Sequence, residues 1–560
     1  MASSMEQNNW SFNKSDHHPP VVRRIIELQN AETCLDSRQN GNCPSLSLGQ
    51  LSFIIKKGKA ISIYNELLIL FDIYLKQDMS SSCRQKDYMT AAHVYGNALR
   101  TLSLELKTSL KNELSTVSHP SLGPEWTDYV TATLAPRRKA SIELVEVKKY
   151  EMQLQKLYFS LISSIASNSE LSLSTNCKAS PRTQRKEIWL NENRAWEEKE
   201  VQFDILFDSI IRSRKMIAAH CGAEDYSEFV NRRQKADILT DSFANNVITP
   251  CRAILHKVHS QRKTKLGVKR LRPYDLTTRN IRGFTELDEW TKKTRTLIGC
   301  IHPSLPALFN SILDEGLHDL QLRKGKSAES CCHQLPHSKK AFVFLSLIGG
   351  RRDIMAGIHE LGHAIHINLS FRKFHRFFNY KVNPATSEFF ALTLELLSLE
   401  HLGIYYPDNA SSSWAVKKHL EGILNVFLTC ETVSTFEKAI YSTFLTASER
   451  KILFTETLSR NLGQTDYQGY EKHLGLWSYR IPLLVSAPGY FANYAHTQLA
   501  ALFFYDSIRK GIFSIEDYLR LMEEKGNASP TETYREIGFV TDGKNISNIL
   551  ESLAERLLRP

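Results

Sequence analysis

Apolar residues recur at helical spacing through most of the first third of the chain. The pattern runs from about Leu48 to Ile165 and is clearest in ISIYNELLILFDIYL, residues 61–75, and VEVKKYEMQLQKLYFSLISSI, residues 145–165. Spacings of three and four residues are typical of amphipathic helices. We therefore predict a helical N-terminal region at 48–186. The polar segment before it, 1–47, does not resemble a secretory signal, and we predict a flexible leader there.

Later segments carry weaker patterns. Residues 166–186 are rich in Ser, Asn and Thr and then become basic, which predicts a linker. Helical periodicity resumes in a second region, 187–560, where Gly222 is predicted to end one helix. The basic stretch HSQRKTKLGVKRLRP, 259–273, is predicted to be a solvated loop.

An apolar run and an uncharged stretch lie before and after the sequence motif described below. KAFVFLSLIGG, 340–350, predicts a β-strand, either an ordinary core strand or an edge strand that pairs with an extended peptide. The stretch 481–505 has no formal charge, but Pro488, Gly489 and Asn493 interrupt it. Such interruptions favour a buried helix and loop beside a site over a membrane span.

Composition places the chain among soluble globular proteins, since 42% of its residues are hydrophobic and 23% are charged. Ten cysteines without CxxC spacing indicate reduced thiols, from which we predict a cytoplasmic protein. The net charge of +11 raises the question of nucleic-acid binding. Basic residues alternate with acidic ones, however, and no recognition motif accompanies them. We expect neither a nucleic-acid partner nor membrane insertion.

The stretch GIHELGHAIH, 357–366, has the spacing of a metal-binding helix. Residues four apart lie about 40° apart around a helix, so His359 and His363 can bind one ion together. Glu360 lies about 100° from His359 and could take a proton from a water molecule without being a ligand itself. The pattern therefore predicts two of the three protein ligands of a catalytic zinc ion and its general base.

A third protein ligand must come from elsewhere, because catalytic zinc takes three and keeps one position open. Glu388 follows Asn383 and Pro384, a helix-start signal. It is either a first-turn glutamate favoured by the helix dipole or a metal ligand. The candidates downstream of the motif are His366, His375, Glu388, Glu395, Glu400 and His401.

At this point the chain resembles a known family. DIMAGIHELGHAIH, with Glu388 placed 25 residues after His363, is similar to the thimet oligopeptidase and oligoendopeptidase F family of zinc peptidases. RKGKSAESCC, FVFLSLIGGRRDI and AEDYSEFVNRRQKADILTDSF resemble family landmarks before the motif. The resemblance implies that His359, His363 and Glu388 bind one Zn²⁺ per chain, that Glu360 is the general base, and that Glu395 orients the ligands. It also implies a mainly α fold, large and helical, with a deep central cleft and a small β-sheet beside the zinc helix.

The segment WSYRIPLLVSAPGYFANYAHTQLAAL resembles the family's C-terminal part, whose tyrosines approach the substrate carbonyl. This likeness implies that Tyr490 and Tyr494 stabilise the oxyanion, since a phenol remains a donor at neutral pH. Two positions depart from the family pattern. Leu483 stands where a His is usual after the proline, and Ser346 stands where an Asn is common.

We therefore predict a catalytic zinc-peptidase domain at 187–560, a zinc-dependent endopeptidase that hydrolyses short peptides. One alternative is a weakly active or inactive descendant that binds peptides, for which Leu483 is the sequence argument. The other is a metallocarboxypeptidase, which would need to bind the free C-terminus of its substrate. No arginine cluster in these motifs obviously supplies that contact.

Overall fold

The computed structural model describes residues 20–36, 46–114, part of 147–165, 181–234, 241–276, 281–327, 329–374 and 381–559. Over these ranges the chain is mainly α-helical with one small sheet, as the fold prediction requires. The helices before the sheet are α1 Pro20–Asp36, α2 Leu46–Lys76, α3 Ser82–Leu114, α4 Arg182–Glu197, α5 Glu200–His220, α6 Tyr226–Gln234, α7 Asp241–Phe243, a π-helix Ala244–Ile248, α8 Thr249–Leu266, a 3₁₀-helix Pro273–Asp275, α9 Leu287–Ile301 and α10 Leu305–Asp314.

The sheet and the two helices that follow it form the centre of the molecule. These elements are β1 His318–Gln321, β2 Cys331–Leu335, β3 Lys340–Leu347, α11 Arg351–Phe374 and α12 Pro384–Ser398. The remaining elements are a 3₁₀-helix Leu399–Ile404, α13 Asn409–Ser442, α14 Ala447–Ser459, α15 Lys472–Gly475, a 3₁₀-helix Leu476–Arg480, α16 Pro482–Ser486, α17 Tyr490–Arg509, α18 Ile515–Glu524, α19 Pro530–Glu536 and α20 Gly543–Leu558.

The apolar run predicted to be a strand forms β3, the central strand of the three. β1 pairs with it in parallel and β2 pairs with it antiparallel, so the edge-strand interpretation is wrong. Alternate side chains of β3 enter two different cores: Val343 and Leu345 pack with the central cluster, whereas Phe342 and Phe344 pack with α1 to α3. Burial on both faces explains why the run is continuously apolar.

Two predictions for the N-terminal region need correction. Residues 20–36 of the expected flexible leader form α1, because Val21 and Ile25 pack into the core with α2 and α3. The remainder of the leader at 1–19 and 37–45 lies outside the described residues. The predicted linker 166–186 is helical from Arg182 onward, and Arg182 and Arg185 both donate to the buried carboxylate of Asp275. Residues 166–180 are also outside the described ranges.

The basic stretch 259–273 is not a loop throughout, because α8 continues to Leu266. His259 is buried, while Ser260, Gln261 and the basic residues that follow it lie on the more accessible face of the helix. Gly267, with φ of 62°, ends α8 in the left-handed conformation that glycine adopts without strain. Gly222 follows the end of α5 in the same conformation, as predicted.

A glycine in the motif allows α11 and α12 to pack closely. A Cβ atom at Gly362 would lie 2.7 Å from the Cα atom of Ala391 on α12, which is closer than real Cβ contacts. Asn383 caps α12 by accepting hydrogen bonds from the amides of Ala385 and Thr386, and Pro384 occupies the first turn, as predicted. The cap and the close approach together fix where Glu388 meets α11.

The uncharged stretch 481–505 forms α16, a short turn and most of α17, as expected for a buried helix and loop. Its inner residues, including Leu499 and Phe504, belong to the central core. Of the helices described, none is both long enough and apolar enough to span a membrane.

Candidate metal centre

One narrow row of side chains on α11 is accessible to solvent. Between residues 354 and 367 every side chain is buried except those of Ala356, His359 and His363, which are partly accessible. Their spacing of three and four residues places them in a single row along the helix. The two motif histidines therefore project together from the open side of an otherwise buried helix.

The histidine rings and the Glu388 carboxylate converge on one point. The Nε2 atoms of His359 and His363 are 3.0 Å apart, and they lie 3.3 Å and 3.6 Å from the two oxygens of Glu388. Zinc–nitrogen bonds of about 2.05 Å at tetrahedral angles separate neighbouring ligand atoms by about 3.3 Å. Two imidazoles and a carboxylate at these separations fit a zinc ion, and all three side chains are partly accessible.

The other ring nitrogens are fixed by neighbours. Nδ1 of His359 lies 2.6 Å from an oxygen of Glu395, and Nδ1 of His363 lies 2.8 Å from the hydroxyl of Ser387. Each Nδ1–H can therefore donate outward, which leaves the lone pair on Nε2 available for a metal. His419 approaches the second oxygen of Glu395 at 3.6 Å.

The charges at the site favour a bound cation. Burial would raise the pKa of Glu388, but the neighbouring His363 and His359, together with hydrogen bonds from His359 and Tyr490, lower it to about 2. Burial would lower the pKa of His359, but Glu388 and Glu395 raise it well above its usual value. Burial lowers the pKa of His363 to about 4, so this ring stays neutral. Two carboxylates thus hold positive charge between them, as they would hold a divalent ion.

Glu360 is 7% exposed and faces the same site. Burial, reinforced by Glu388 and Glu395, raises its pKa to about 8, although the charge on His359 opposes the shift. A carboxylate whose pKa lies near neutrality is a stronger base than an exposed glutamate and can also return a proton.

Tyr490 and Tyr494 enter the site from the first turns of α17. Their rings are 5.6 Å apart. Burial raises the pKa of both phenols well above the usual value, and the charge of Glu388 adds to the effect. Both hydroxyls therefore remain protonated and able to donate.

Buried polar groups hold the segment that leads into α17. The two oxygens of Glu437 accept hydrogen bonds from the amide of Gly489 at 3.4 Å and 3.2 Å. Arg214 donates to the carbonyl of Val485 and, at 2.8 Å, to the hydroxyl of Tyr441. Gly489 has φ of 77°, which fits a glycine immediately before the helix. Leu483, in the same segment, has a side chain that is 39% exposed.

The other candidates for the third ligand lie apart from this point or outside the described residues. Nδ1 of His366 is 3.1 Å from the hydroxyl of Ser387, the same hydroxyl that His363 contacts. Glu400 pairs with Tyr505 and Arg556. Among the residues described, the converging group consists of the two motif histidines and Glu388, without His401 or Glu395. His375 is not among the described residues.

Sequence reasoning missed two residues around the ligands. Ser387 stands directly before Glu388, and its position one turn into a capped helix was a signal that it could face α11. His419 lies on α13, and no local pattern connects it with the motif. Ser346, the departure noted before the glycines, donates to the carbonyl of Ser327 at 2.8 Å and so connects β3 to the preceding loop.

Residues 304–552 match the sequence profile of peptidase family M3. Comparison with curated proteins finds no match.

Solved structures of several peptidases share the fold of this chain. A structure designated oligoendopeptidase F has a TM-score of 0.78 and 18% identity, covering 98% of both chains. PZ peptidase A in complex with an inhibitor has a TM-score of 0.76 and 18% identity, also over 98% of both chains. The M32 carboxypeptidase of Deinococcus radiodurans R1 has a TM-score of 0.56 and 12% identity, covering 91% of this chain and 99% of its own. At these identities the likeness shows a shared fold.

Proposed function

We propose that this chain is an M3-family peptidase, a zinc-dependent endopeptidase that hydrolyses short peptides. The observation that carries the proposal is the convergence of two imidazoles and one carboxylate whose ligand atoms all lie within 4.8 Å of one another. The match to peptidase family M3 supports peptides as the substrate class.

In this proposal His359, His363 and Glu388 hold the zinc ion. A bound zinc ion would polarise the scissile carbonyl and lower the pKa of water, which supplies the nucleophile near neutral pH. Glu395 and Ser387 keep both imidazoles in the tautomer whose Nε2 lone pair faces the ion.

Glu360 moves the proton. It accepts one proton from the attacking water and gives it to the leaving amine, which could not depart as an anion. Burial favours the protonated form of this carboxyl group, which suits the return of the proton to the leaving amine.

Tyr490 and Tyr494 donate hydrogen bonds to the carbonyl oxygen as negative charge develops on it. Their buried, protonated hydroxyls require no proton loss to do so.

The test is digestion of a mixed peptide library by the zinc-loaded protein, followed by mass spectrometry. Internal cleavage that a chelator abolishes is the expected result. The variant Glu360→Gln should retain zinc and lose hydrolysis by at least about a hundredfold, because the amide keeps the size of the side chain but cannot accept the proton. Near-normal turnover by this variant, or no cleavage by the parent, would contradict the proposal.

A metallocarboxypeptidase is the second candidate, and the fold shared with the M32 carboxypeptidase favours it. The same library separates the two functions. Removal of single residues that requires a free substrate C-terminus would indicate the carboxypeptidase, whereas cleavage inside peptides blocked at both ends indicates the endopeptidase.

A further inference from the structure

The two motif histidines are held by partners of different chemistry. Nδ1 of His359 lies 2.6 Å from an oxygen of Glu395. An ionised carboxylate can only accept hydrogen bonds, so this partner by itself places the proton of His359 on Nδ1. Nδ1 of His363 lies 2.8 Å from the hydroxyl of Ser387. A hydroxyl can either donate or accept, so this contact alone does not fix the tautomer of His363.

His366 is the second partner of the Ser387 hydroxyl. It follows His363 by three residues on the same face of α11, and its Nδ1 lies 3.1 Å from the hydroxyl oxygen. Both side chains are buried, since Ser387 is 4% exposed and His366 is fully buried. The hydroxyl therefore lies between two ring nitrogens, and these decide the direction of its O–H bond.

The metal selects one arrangement of the protons in this group. If both rings donated to Ser387, its own buried proton would find no acceptor at either ring, which is unfavourable. One ring must therefore donate to the hydroxyl while the other accepts from it. Only if His363 is the donor does its Nε2 keep the lone pair that a metal needs. The hydroxyl then donates to Nδ1 of His366, and the proton of His366 lies on Nε2.

The surroundings of the second His366 nitrogen allow this arrangement. Nε2 is buried and has no hydrogen-bond partner among the described residues, and the ring packs against Phe390 with centroids 4.6 Å apart. No described neighbour therefore locks the ring in the opposite tautomer. A buried nitrogen without a partner is also unfavourable, and a leucine would avoid it. The presence of an imidazole here indicates that its other nitrogen serves the site.

We propose that His366 is a positioning residue for the metal ligand His363. Its Nδ1 accepts the hydroxyl proton of Ser387, so the hydroxyl oxygen accepts from Nδ1–H of His363, and Nε2 of His363 presents its lone pair to zinc. No group gains or loses a proton overall. The inference rests on the proposed zinc-dependent function and adds to it a residue that contacts neither the metal ligands nor the substrate directly.

The rate of zinc release to an excess of chelator tests this role without requiring hydrolysis. His366→Leu removes the acceptor, which frees the hydroxyl to donate to His363, and it should speed release by about ten- to a hundredfold. His366→Asn is the conservative variant, because its side-chain oxygen can accept from Ser387 in place of Nδ1. It should release zinc at close to the rate of the parent.

A double-mutant cycle separates positioning from packing. Ser387→Ala should also speed zinc release, and adding His366→Leu to it should cause no further increase, because His366 acts only through the hydroxyl. Altered packing would increase the rate by the same factor with or without Ser387. Ser370→Ala is the matched control, since it removes a buried hydroxyl that donates to the carbonyl of Met522 from the same helix. It should leave the release rate unchanged.

Nitrogen NMR of the zinc-loaded parent, labelled with ¹⁵N in its histidine rings, reads the tautomer directly. Ring nitrogens that carry a proton resonate apart from those that do not, and the His366 signals are those lost in His366→Asn. We expect a protonated Nε2 and a bare Nδ1 for His366. This measurement does not depend on the folding of His366→Leu.

A proton on Nδ1 of His366 in the zinc-loaded protein would overturn the inference. Rapid zinc release from His366→Asn, or equal effects of His366→Leu with and without Ser387, would do the same. A parent that binds no zinc would contradict both this inference and the proposed function. A parent that binds zinc with His366 in the expected tautomer but hydrolyses no peptide would contradict the proposed function alone.

Discussion

Glu437 should make the folded protein less stable as the pH rises, and Glu437→Gln should remove that dependence. The carboxyl group is 5% exposed, and burial raises its pKa to about 8, although its hydrogen bonds from the Gly489 amide and the charge of Arg214 oppose the shift. In the unfolded chain its pKa returns to 4.5. When the pH lies between these two pKa values, Glu437 is protonated in the folded state and ionised in the unfolded state.

The sign and size of the effect follow from this difference. A group that binds more protons when folded lowers the free energy of unfolding as pH increases, by about 1.4 kcal/mol per pH unit within the window. From pH 5.5 to pH 7.5 the parent should therefore lose up to about 3 kcal/mol through Glu437 alone. Gln cannot ionise, and its amide oxygen can still accept from Gly489, so the variant avoids this loss.

The assay is urea unfolding of the parent and the variant at both pH values. The difference in free energy of unfolding between the two proteins is then compared between pH 5.5 and pH 7.5. All other titrating groups are common to both proteins and cancel. The free energy of unfolding of the variant, relative to that of the parent, should be larger at pH 7.5 than at pH 5.5. Glu456→Gln, at an exposed glutamate of α14, is the control and should show no such gain. If the free energies of unfolding of Glu437→Gln and the parent differ by the same amount at both pH values, the reasoning is refuted.

Three further predictions concern the site itself. Tyr490→Phe and Tyr494→Phe should each lower kcat more than they raise KM, with zinc content unchanged; steady-state kinetics in which Phe is silent would show that they are packing residues. Leu483→His should raise activity or shift the preferred peptide, because the exposed side chain leaves room for an imidazole; an inert variant would separate this position from the site. Glu395→Gln should speed zinc release to a chelator by about ten- to a hundredfold, since His359 loses its carboxylate partner, and an unchanged release rate would count against that role.

Local patterns in the sequence predicted much of the centre of this fold. The Asn383–Pro384 signal placed the start of α12 correctly, and the apolar run placed β3. Both depend on neighbours in sequence, through backbone capping and side-chain burial. The resemblance selected Glu388 from several candidates, and the structure brings it to the motif histidines; its role as a ligand stays a prediction until metal is measured.

What the sequence did not reveal depends on contacts between distant segments. Residues 20–36 looked like a polar leader, but α2 and α3 provide the apolar partners that make α1 stable. The basic residues near His259 looked like a loop because the buried face of α8 is narrow. His419 approaches Glu395 from α13, and no spacing within that helix shows that the two residues meet.

Metal analysis of the purified protein and its His363→Ala variant tests the central claim most directly. One complete set of three ligands should bind about one zinc ion per chain, and removal of one imidazole should abolish stoichiometric binding. The account predicts one zinc in the parent and substoichiometric zinc in the variant, with both proteins folded by circular dichroism. Full occupancy in His363→Ala, or a parent that binds no zinc when it is supplied, would contradict it.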